Sequence, residues 1–285
     1  MVKRTFREQL KHKILILDGA MGTMLQQAGL SAQDFGGEEY EGCNELLNLT
    51  RPDLIASIHE QYLAAGADIV ETNTFGANRV VLAEYNVEGR DIEINLASAK
   101  LARQAADAYS TADWPRFVAG AMGPTTKTLS LTGGVTFEEL VEAYMRQAKG
   151  LLLGGVDLLL VETAQDTLNV KAAGIGIRQA FAELKREVPL VISGTIEPMG
   201  TTLAGQSIES FYISIEHLEP VAVGLNCATG PEFMRDHLRT LAQVAQCGVS
   251  CYPNAGLPDE NGHYHESPQA LAAKMAAFAE RGWLN

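Results

Sequence analysis

One cysteine of this sequence stands where an apolar run ends. Cys227 follows the run VAVGLN and precedes a Gly-Pro step in GLNCATGP, a setting typical of a loop rather than of a core. A thiol there could be a nucleophile or a metal ligand, although a free cysteine is more often a small buried hydrophobe. No histidine ends another run, so a Cys–His dyad has little support.

Two carboxylates stand at comparable positions. Glu162 closes the apolar run DLLLV, where a charge is costly unless a cation or a ligand amine meets it; a structural ion pair is the alternative. Asp18 begins DGAMGT, whose glycines let the backbone approach a ligand closely; a tight turn is the alternative. Backbone amides in such a turn can hold a carboxylate or a phosphate.

These residues belong to a repeating pattern of apolar runs that end in small or polar residues. The runs begin 28 to 54 residues apart, which leaves room for a helix between each pair, and such strands should be parallel. Their near-continuous apolar character is typical of strands covered on both faces. The seven runs are KILIL, ADIVET, RFVAG, DLLLVET, PLVISGT, VAVGLNC and VSCYPN.

The repeat predicts an α/β fold, a (β/α)8 TIM-type barrel formed as a single domain over residues 1–285. An open doubly wound sheet is the alternative. The chain ends where an eighth strand should start, so we expect that strand to be largely or wholly missing. In such barrels the reactive groups lie at the carboxyl ends of the strands, and the irregular segment 26–50 is expected to cover that mouth.

Composition excludes several classes of protein. With 22 basic and 35 acidic residues the net charge is −13, which disfavours nucleic acid as a partner. No apolar run reaches the ~18–20 residues that span a bilayer, so we expect no membrane span. The N-terminus lacks a small-residue cleavage site, which favours the cytoplasm. Four cysteines are too few for a disulfide scaffold; Cys247 and Cys251 are predicted to be core residues.

Eight motifs resemble those of one known family. In chain order they are ILDGAMGTMLQ, DIVETNTFGAN, AGAMGPT, DLLLVETAQDTLNVKAA, VISGTI, GLNCATGP, YPNAGLPD and RGWLN. From Ile14 to Asn285 the sequence resembles the homocysteine-binding barrel of cobalamin-dependent methionine synthases, within the homocysteine S-methyltransferase family.

The resemblance implies a function and a site. Cys227 would be the catalytic cysteine and a ligand of a zinc ion that activates the homocysteine thiol. Asn254, from the PNAG motif, would offer its side-chain amide to the metal. Asp18 and Glu162 would bind the substrate ammonium, and the amides of Gly19 and Ala20 would meet its carboxylate. The activated thiol would take a methyl group from methylcobalamin carried by another domain, which yields methionine. The partners implied are homocysteine and the folate- and cobalamin-binding domains of a full-length enzyme.

The sequence departs from the family at one point. The family's paired-cysteine motif, Gly-Gly-Cys-Cys-Gly, would follow directly after Asn285 and is not in this sequence. The zinc site is therefore expected to be incomplete in this chain, and a chain cut before the last strand is the simplest explanation. Two alternatives stay open: a stand-alone methyltransferase that uses S-methylmethionine or betaine, and a catalytically inactive binding or scaffold fragment.

Overall fold

The computed structural model of the chain describes residues 5–256 and 266–285. Within them, six strands form one sheet, and every neighbouring pair is parallel. The strands are β1 (Ile69–Glu71), β2 (Phe117–Met122), β3 (Leu158–Ala164), β4 (Leu190–Gly194), β5 (Ala222–Asn226) and β6 (Gly248–Tyr252).

Helices connect the strands. They are α1 (Phe6–Leu10), α2 (Met21–Gln27), α3 (Ala32–Phe35), α4 (Leu47–Thr50), α5 (Pro52–Ala65), α6 (Arg79–Leu82), α7 (Asp91–Tyr109), α8 (Phe137–Gly154), α9 (Thr167–Leu184), α10 (Ile208–Ile215), α11 (Pro231–Val244) and α12 (Pro268–Glu280). Short 3-10 turns cover Glu38–Tyr40, Asn44–Leu46, Ala83–Tyr85, Glu88–Arg90 and Glu216–Leu218.

The strand order separates the two architectures that the sequence left open. The order β1-β2-β3-β4-β5-β6 follows the chain without a reversal. A doubly wound sheet reverses its strand order at a switch point, whereas a barrel adds each strand beside the preceding one. The sheet is therefore that of a partial TIM-type barrel, and the doubly wound alternative is excluded. The expectation about an eighth strand stays a prediction.

The first predicted strand is shorter than expected. The run KILIL does not form a full strand; only Leu17 bridges Ile69, in parallel. Asp68 N donates to Ile16 O at 2.8 Å and Asp18 N to Ile69 O at 3.0 Å. The reason is that Ile16 N donates to the side chain of Asp68, at 2.9 Å. A carboxylate therefore accepts a hydrogen bond that a strand carbonyl would otherwise accept. The run lies beside β1 as predicted, but it forms only a single bridge with that strand.

Local signals in the sequence explain where the long helices begin and end. In α8 the capping residue Thr136 accepts from Glu139 N, and the Glu139 side chain accepts from Thr136 N, which together form a capping box. The same helix ends at Gly155, whose φ of 97° suits glycine. Helix α5 begins differently, with Pro52 at its first position, but it also ends at a glycine, Gly66, whose φ is 112°. These glycines therefore end the helices a few residues before the next strands begin.

Two apolar layers surround the sheet. Helices α7, α8 and α9 pack on its outer face through alanines and leucines. The inner face carries a second cluster that includes Ile69, Phe117 and Leu160. Phe6 of α1 joins this cluster, with its ring centroid 5.5 Å from that of Phe117. Helix α1 thus packs at the amino end of the sheet, and the carboxyl end is left for the site. None of the helices in the described ranges is long and apolar enough to cross a membrane.

The segment 26–50 lies against the carboxyl end of β1. Asn48 Nδ2 donates to Asn73 O at 2.8 Å, and Glu45 Oε1 accepts from Gly76 N at 2.7 Å. Asn73 and Gly76 belong to the loop that follows β1. These contacts agree with the prediction that this segment covers the mouth of the barrel.

Candidate active site

The carboxyl ends of the strands bring three carboxylates together. Asp18 Oδ2 accepts from Glu71 N at 3.0 Å, and the side chains of Glu71 and Glu162 lie close enough to influence each other's pKa. The hydroxyl of Tyr252, at the end of β6, lies 3.5 Å from Glu162 Oε2. We call Asp18, Glu71 and Glu162 the carboxylate cluster. It contains both acidic residues that the sequence singled out.

Burial and mutual repulsion disfavour full ionisation of the cluster. Burial raises the pKa of Asp18 and of Glu162 well above their ordinary values, and the neighbouring charges raise them further. Burial likewise raises the pKa of Glu71 to about 7. No ion pair within residues 5–256 and 266–285 involves any of the three. The described residues therefore supply no cation that would neutralise the cluster, and an ionised carboxylate that is buried without one is costly.

The buried side chain of Asn226 forms hydrogen bonds with several residues around Cys227. Asn226 Oδ1 accepts from Ser193 Oγ at 2.6 Å and from Thr163 N at 3.1 Å. Asn226 Nδ2 donates to Thr163 Oγ1 at 2.8 Å and to Cys227 Sγ at 3.1 Å. One side chain thereby links the ends of β3, β4 and β5. It places the sulfur beside the strand that carries Glu162.

The backbone is strained at the same place. Thr163, Cys227 and Ala228 have φ values of 55°, 57° and 49°, in the left-handed region that non-glycine residues rarely occupy. Strand β3 also shifts its register against β4 between Val161 and Ala164. Strain of this kind persists only where the surroundings hold it, and it concentrates at functional sites. Here the four hydrogen bonds of the Asn226 side chain stabilise the strained conformation.

Cys227 is half-buried rather than a core residue. Burial raises the pKa of its thiol, the hydrogen bond from Asn226 lowers it, and the charge of Glu162 raises it again. The thiol is therefore protonated at neutral pH in the chain alone. Cys43 and Cys251 differ, because burial raises the pKa of each to about 12. Cys251 and Cys247 both pack against the main apolar core, as expected.

The turn after Asp18 is held close to helix α5. A Cβ atom on Gly19 would lie 2.8 Å from Tyr62 Cε1, so a larger residue there requires the Tyr62 ring to move. The hydroxyl of Tyr62 donates to Ala20 O at 3.3 Å, and Ala20 caps α2. Gly19 and Ala20 are thus positioned next to the carboxylate cluster by their place in the chain.

The predicted metal ligands are near each other but few. Cys227 N donates to Tyr252 O at 3.4 Å, and Asn254 N donates to Thr229 O at 3.3 Å, which joins the loop after β5 to the loop after β6. In the described part of the chain no three side chains of His, Cys, Asp or Glu are grouped to hold a metal ion. A catalytic zinc site has three protein ligands. The described residues therefore do not make a zinc site by themselves.

Glu71, Asn226 and Tyr252 received no role from the sequence. Glu71 and Asn226 stand at strand ends, so the rule that selected Glu162 could have selected both. Tyr252 also ends a strand, but its contact with Glu162 could not be foreseen because the two residues are 90 positions apart in the chain. The pairings arise between residues far apart in the chain.

Exposed apolar side chains surround the carboxyl end of the sheet. They occur in the connections that follow each strand from β1 to β5 and are between 42% and 76% exposed. We call them the rim residues: Phe75, Leu131, Leu168, Met199, Leu203 and Phe233. Each of the five connections therefore carries at least one exposed apolar side chain at this end of the sheet.

Comparison with known proteins assigns the family. The sequence profile of the homocysteine S-methyltransferase family matches residues 15–285, nearly the whole chain. The chain belongs to the homocysteine S-methyltransferase family. This confirms the family that the sequence motifs indicated.

Solved structures of one enzyme share the fold. The oxidized form of the homocysteine methyltransferase MmuM from Escherichia coli matches with a TM-score of 0.76 and 22% identity, over 99% of this chain and 91% of that chain. Its metallated form matches with a TM-score of 0.73 and 24% identity, over 94% and 91%. Its apo form matches with a TM-score of 0.69 and 22% identity, over 96% and 88%. At this identity the likeness concerns the fold.

Proposed function

We propose that this chain binds homocysteine and presents its thiol for methylation to methionine. The observation that carries the proposal is the carboxylate cluster, which lies at the mouth of the sheet and lacks a cation from the described residues. An α-amino acid brings an ammonium group of the required charge. Charge-assisted hydrogen bonds of this kind are among the strongest in proteins.

Each end of the substrate has a matching group. Asp18 and Glu162 bind the ammonium, with Glu71 as a third carboxylate that keeps the pocket acidic. The amides of Gly19 and Ala20 bind the substrate carboxylate. This arrangement directs the thiol toward Cys227, because the ammonium and carboxylate are both held on the side of β1 and β3. Holding three points of one molecule fixes its orientation.

We propose Cys227 as the catalytic cysteine and as a zinc ligand, with Asn254 as a second donor. Zinc, where bound, supplies the deprotonation of a coordinated thiol. These two residues fall short of a complete ligand set, so zinc binding requires further donors. Asn226 holds Cys227 Sγ in place whether or not a metal is present.

We propose that the methyl donor is methylcobalamin carried by a cobalamin-binding domain, with a folate-binding domain in the same full-length enzyme. The rim residues support this choice, since a small charged donor needs no apolar surface around the mouth, whereas a carrier domain does. A donor assay separates the alternatives: protein, homocysteine and zinc are incubated with methylcobalamin, S-methylmethionine or betaine, and methionine is quantified by mass spectrometry. Methionine from methylcobalamin alone supports the proposal; methionine from either of the other donors refutes it.

Calorimetry tests substrate binding without requiring turnover. Homocysteine is titrated into the protein and into the Glu162→Gln variant, beside 4-mercaptobutyrate, which lacks only the amino group. Losing a charge-assisted hydrogen bond of ~1.5–3 kcal/mol weakens homocysteine binding about tenfold to a hundredfold. Binding of 4-mercaptobutyrate should barely change.

The matched control is Glu209→Gln, which removes a carboxylate from the first turn of α10, outside the carboxylate cluster. It should leave both affinities unchanged. If Glu162→Gln weakens both thiols equally, the carboxylate does not bind the amine and the proposed orientation of the substrate is wrong.

A further inference from the structure

A groove lies at the opposite end of the sheet from the candidate active site. It has a volume of about 710 Å³ and is formed by the end of α9, the connection to β4, the connection between α10 and β5, and helix α1. All of these segments precede strands, so the groove opens at the amino ends of β4 and β5. Its cations and main apolar side chains are Arg7, Arg178, Lys185, Arg186, Phe181 and Leu218.

Two of the three arginines of the groove, Arg178 and Arg186, are held by carbonyl groups. Arg178 Nη2 donates to His217 O at 3.0 Å. Arg186 Nη2 donates to Val156 O at 2.8 Å, and its Nη1 donates to Leu152 O at the end of α8. Carbonyl oxygens fix the guanidinium planes but leave their full positive charge in place. The positions of both charges are therefore set before any anion arrives.

The other two cations have no carboxylate partner among the described residues. Arg7 and Lys185 form no ion pair in residues 5–256 and 266–285. Two carboxylates, Glu187 and Glu219, also line the groove, so four cations face two anions. The chain as a whole has a net charge of −13. The chain is acidic as a whole, so the excess of positive charge is a local property of this groove.

The groove also has an apolar wall. Phe181 packs against the main apolar core with one side and lines the groove with the other. Leu218, Ile177 and Val188 continue this wall. Binding sites for small molecules combine such apolar walls with a few charged groups, and a volume in the range of ~300–1,000 Å³ is typical.

We propose that this groove binds a small amphiphilic anion: a phosphate, sulfonate or carboxylate group joined to an aromatic or aliphatic body. The anion is bound by Arg178, Lys185 and Arg7, and the apolar body packs on Phe181 and Leu218. The site is separate from the carboxylate cluster, because one lies where strands begin and the other where they end. It does not depend on the proposed function.

Two fluorescent probes test whether the groove requires both an anionic group and an apolar body. 8-Anilinonaphthalene-1-sulfonate carries the anion and the rings, while N-phenyl-1-naphthylamine carries the rings alone. We expect saturable binding of the sulfonate at one site per chain, and at least tenfold weaker binding of the neutral probe. Pyrophosphate should displace the sulfonate, and homocysteine should not.

Charge-neutralising variants locate the probe. Arg178→Gln and Lys185→Gln should each weaken sulfonate binding about threefold to fivefold, and the double variant about tenfold, as expected for exposed charge pairs. Arg239→Gln removes the same charge from α11, outside the groove, and should have no effect. Thermal unfolding of each variant verifies that the fold is kept.

Three results would overturn the proposal: equal affinity for the two probes, an unchanged affinity in the double variant, or an equal loss in Arg239→Gln. Displacement of the sulfonate by homocysteine would place the probe at the rim residues and would also overturn it. A failure of homocysteine to bind at the carboxylate cluster would leave the groove unaffected, so the two proposals fail separately.

Discussion

Asn226 Nδ2 lies 3.1 Å from Cys227 Sγ, and the same amide group holds Thr163 and Ser193 through its other contacts. A fully buried side chain thus connects Cys227 to two neighbouring strands. Its position explains how two left-handed residues, Thr163 and Cys227, are maintained at adjoining strand ends. The position of the sulfur is therefore set by a residue of the sheet.

Removing this amide should destabilise the protein. Asn226→Ala leaves the buried Ser193 hydroxyl and the amide of Thr163 without their acceptor. Each unsatisfied buried group costs ~1–3 kcal/mol, so we expect the free energy of unfolding in urea to fall by about 2–6 kcal/mol. Gln179→Ala, on the exposed face of α9, is the control and should change it by less than about 0.5 kcal/mol. An Asn226→Ala variant as stable as the parent would show that the hydrogen bonds contribute little.

The thiol of Cys227 should react slowly at neutral pH in the metal-free protein. Burial raises its pKa and the charge of Glu162 adds to that shift, so the thiolate fraction grows only above the usual range for cysteine, ~8.5. The measurement is the rate of iodoacetamide alkylation at Cys227 against pH, read by mass spectrometry.

Glu162→Gln removes one negative charge near the sulfur and should move this alkylation profile to lower pH. Cys251 serves as an internal comparison and should stay unreactive, because burial raises its pKa to about 12. A profile that is unchanged by Glu162→Gln would mean that the carboxyl carries no charge in that pH range or does not influence the sulfur.

Stability should fall as pH rises through the range in which Glu71 titrates. Its pKa is 4.5 when unperturbed and about 7 in the folded protein, chiefly through burial. A carboxyl whose pKa is raised on folding stabilises the protein below the unfolded value and loses that contribution as pH rises through the folded value. We therefore expect a decrease of up to about 3 kcal/mol in the free energy of unfolding between pH 4.5 and pH 7.

The control for this pH dependence is Glu71→Gln, which should flatten the decrease, with unfolding in urea followed at half-unit steps of pH. An equally steep profile in the variant would assign the titration to other groups of the carboxylate cluster. A stability that rises over this interval would contradict the direction of the shift.

Two glycines of the same motif should respond differently to alanine. A Cβ atom on Gly19 meets the Tyr62 ring at 2.8 Å, whereas one on Gly22 meets nothing within 4 Å. Gly19→Ala must displace the turn or the ring, at a cost of ~1–3 kcal/mol in stability, and should weaken homocysteine binding severalfold. Gly22→Ala, inside α2, should leave binding unchanged and stabilise the helix by up to about 1 kcal/mol. Equal effects of the two substitutions on homocysteine affinity would remove the turn from the proposed site.

Much of the architecture could be predicted from the sequence because the strands are buried on both faces. Their apolar runs are nearly continuous, and the polar residue that ends each one marks the mouth, so Glu162 and Cys227 could be selected without a structure. The weak pairing of the first run could not be foreseen, since it depends on Asp68 taking the amide of Ile16.

The partners of Cys227 and Glu162 were harder to predict for the same reason. Asn226 is 63 residues from Thr163 in the chain, and Tyr252 is 90 residues from Glu162. Such pairs meet only through the register and curvature of the whole sheet. A single sequence carries the residue types but not that geometry.

A crystal structure with homocysteine bound is the most direct measurement. We predict the substrate nitrogen within ~3 Å of carboxylate oxygens of Asp18 and Glu162, its carboxylate at the amides of Gly19 and Ala20, and its sulfur directed toward Cys227. An amino acid bound in the reverse orientation, with its sulfur among the carboxylates, or bound away from the mouth of the sheet, would contradict the proposed mode of homocysteine binding.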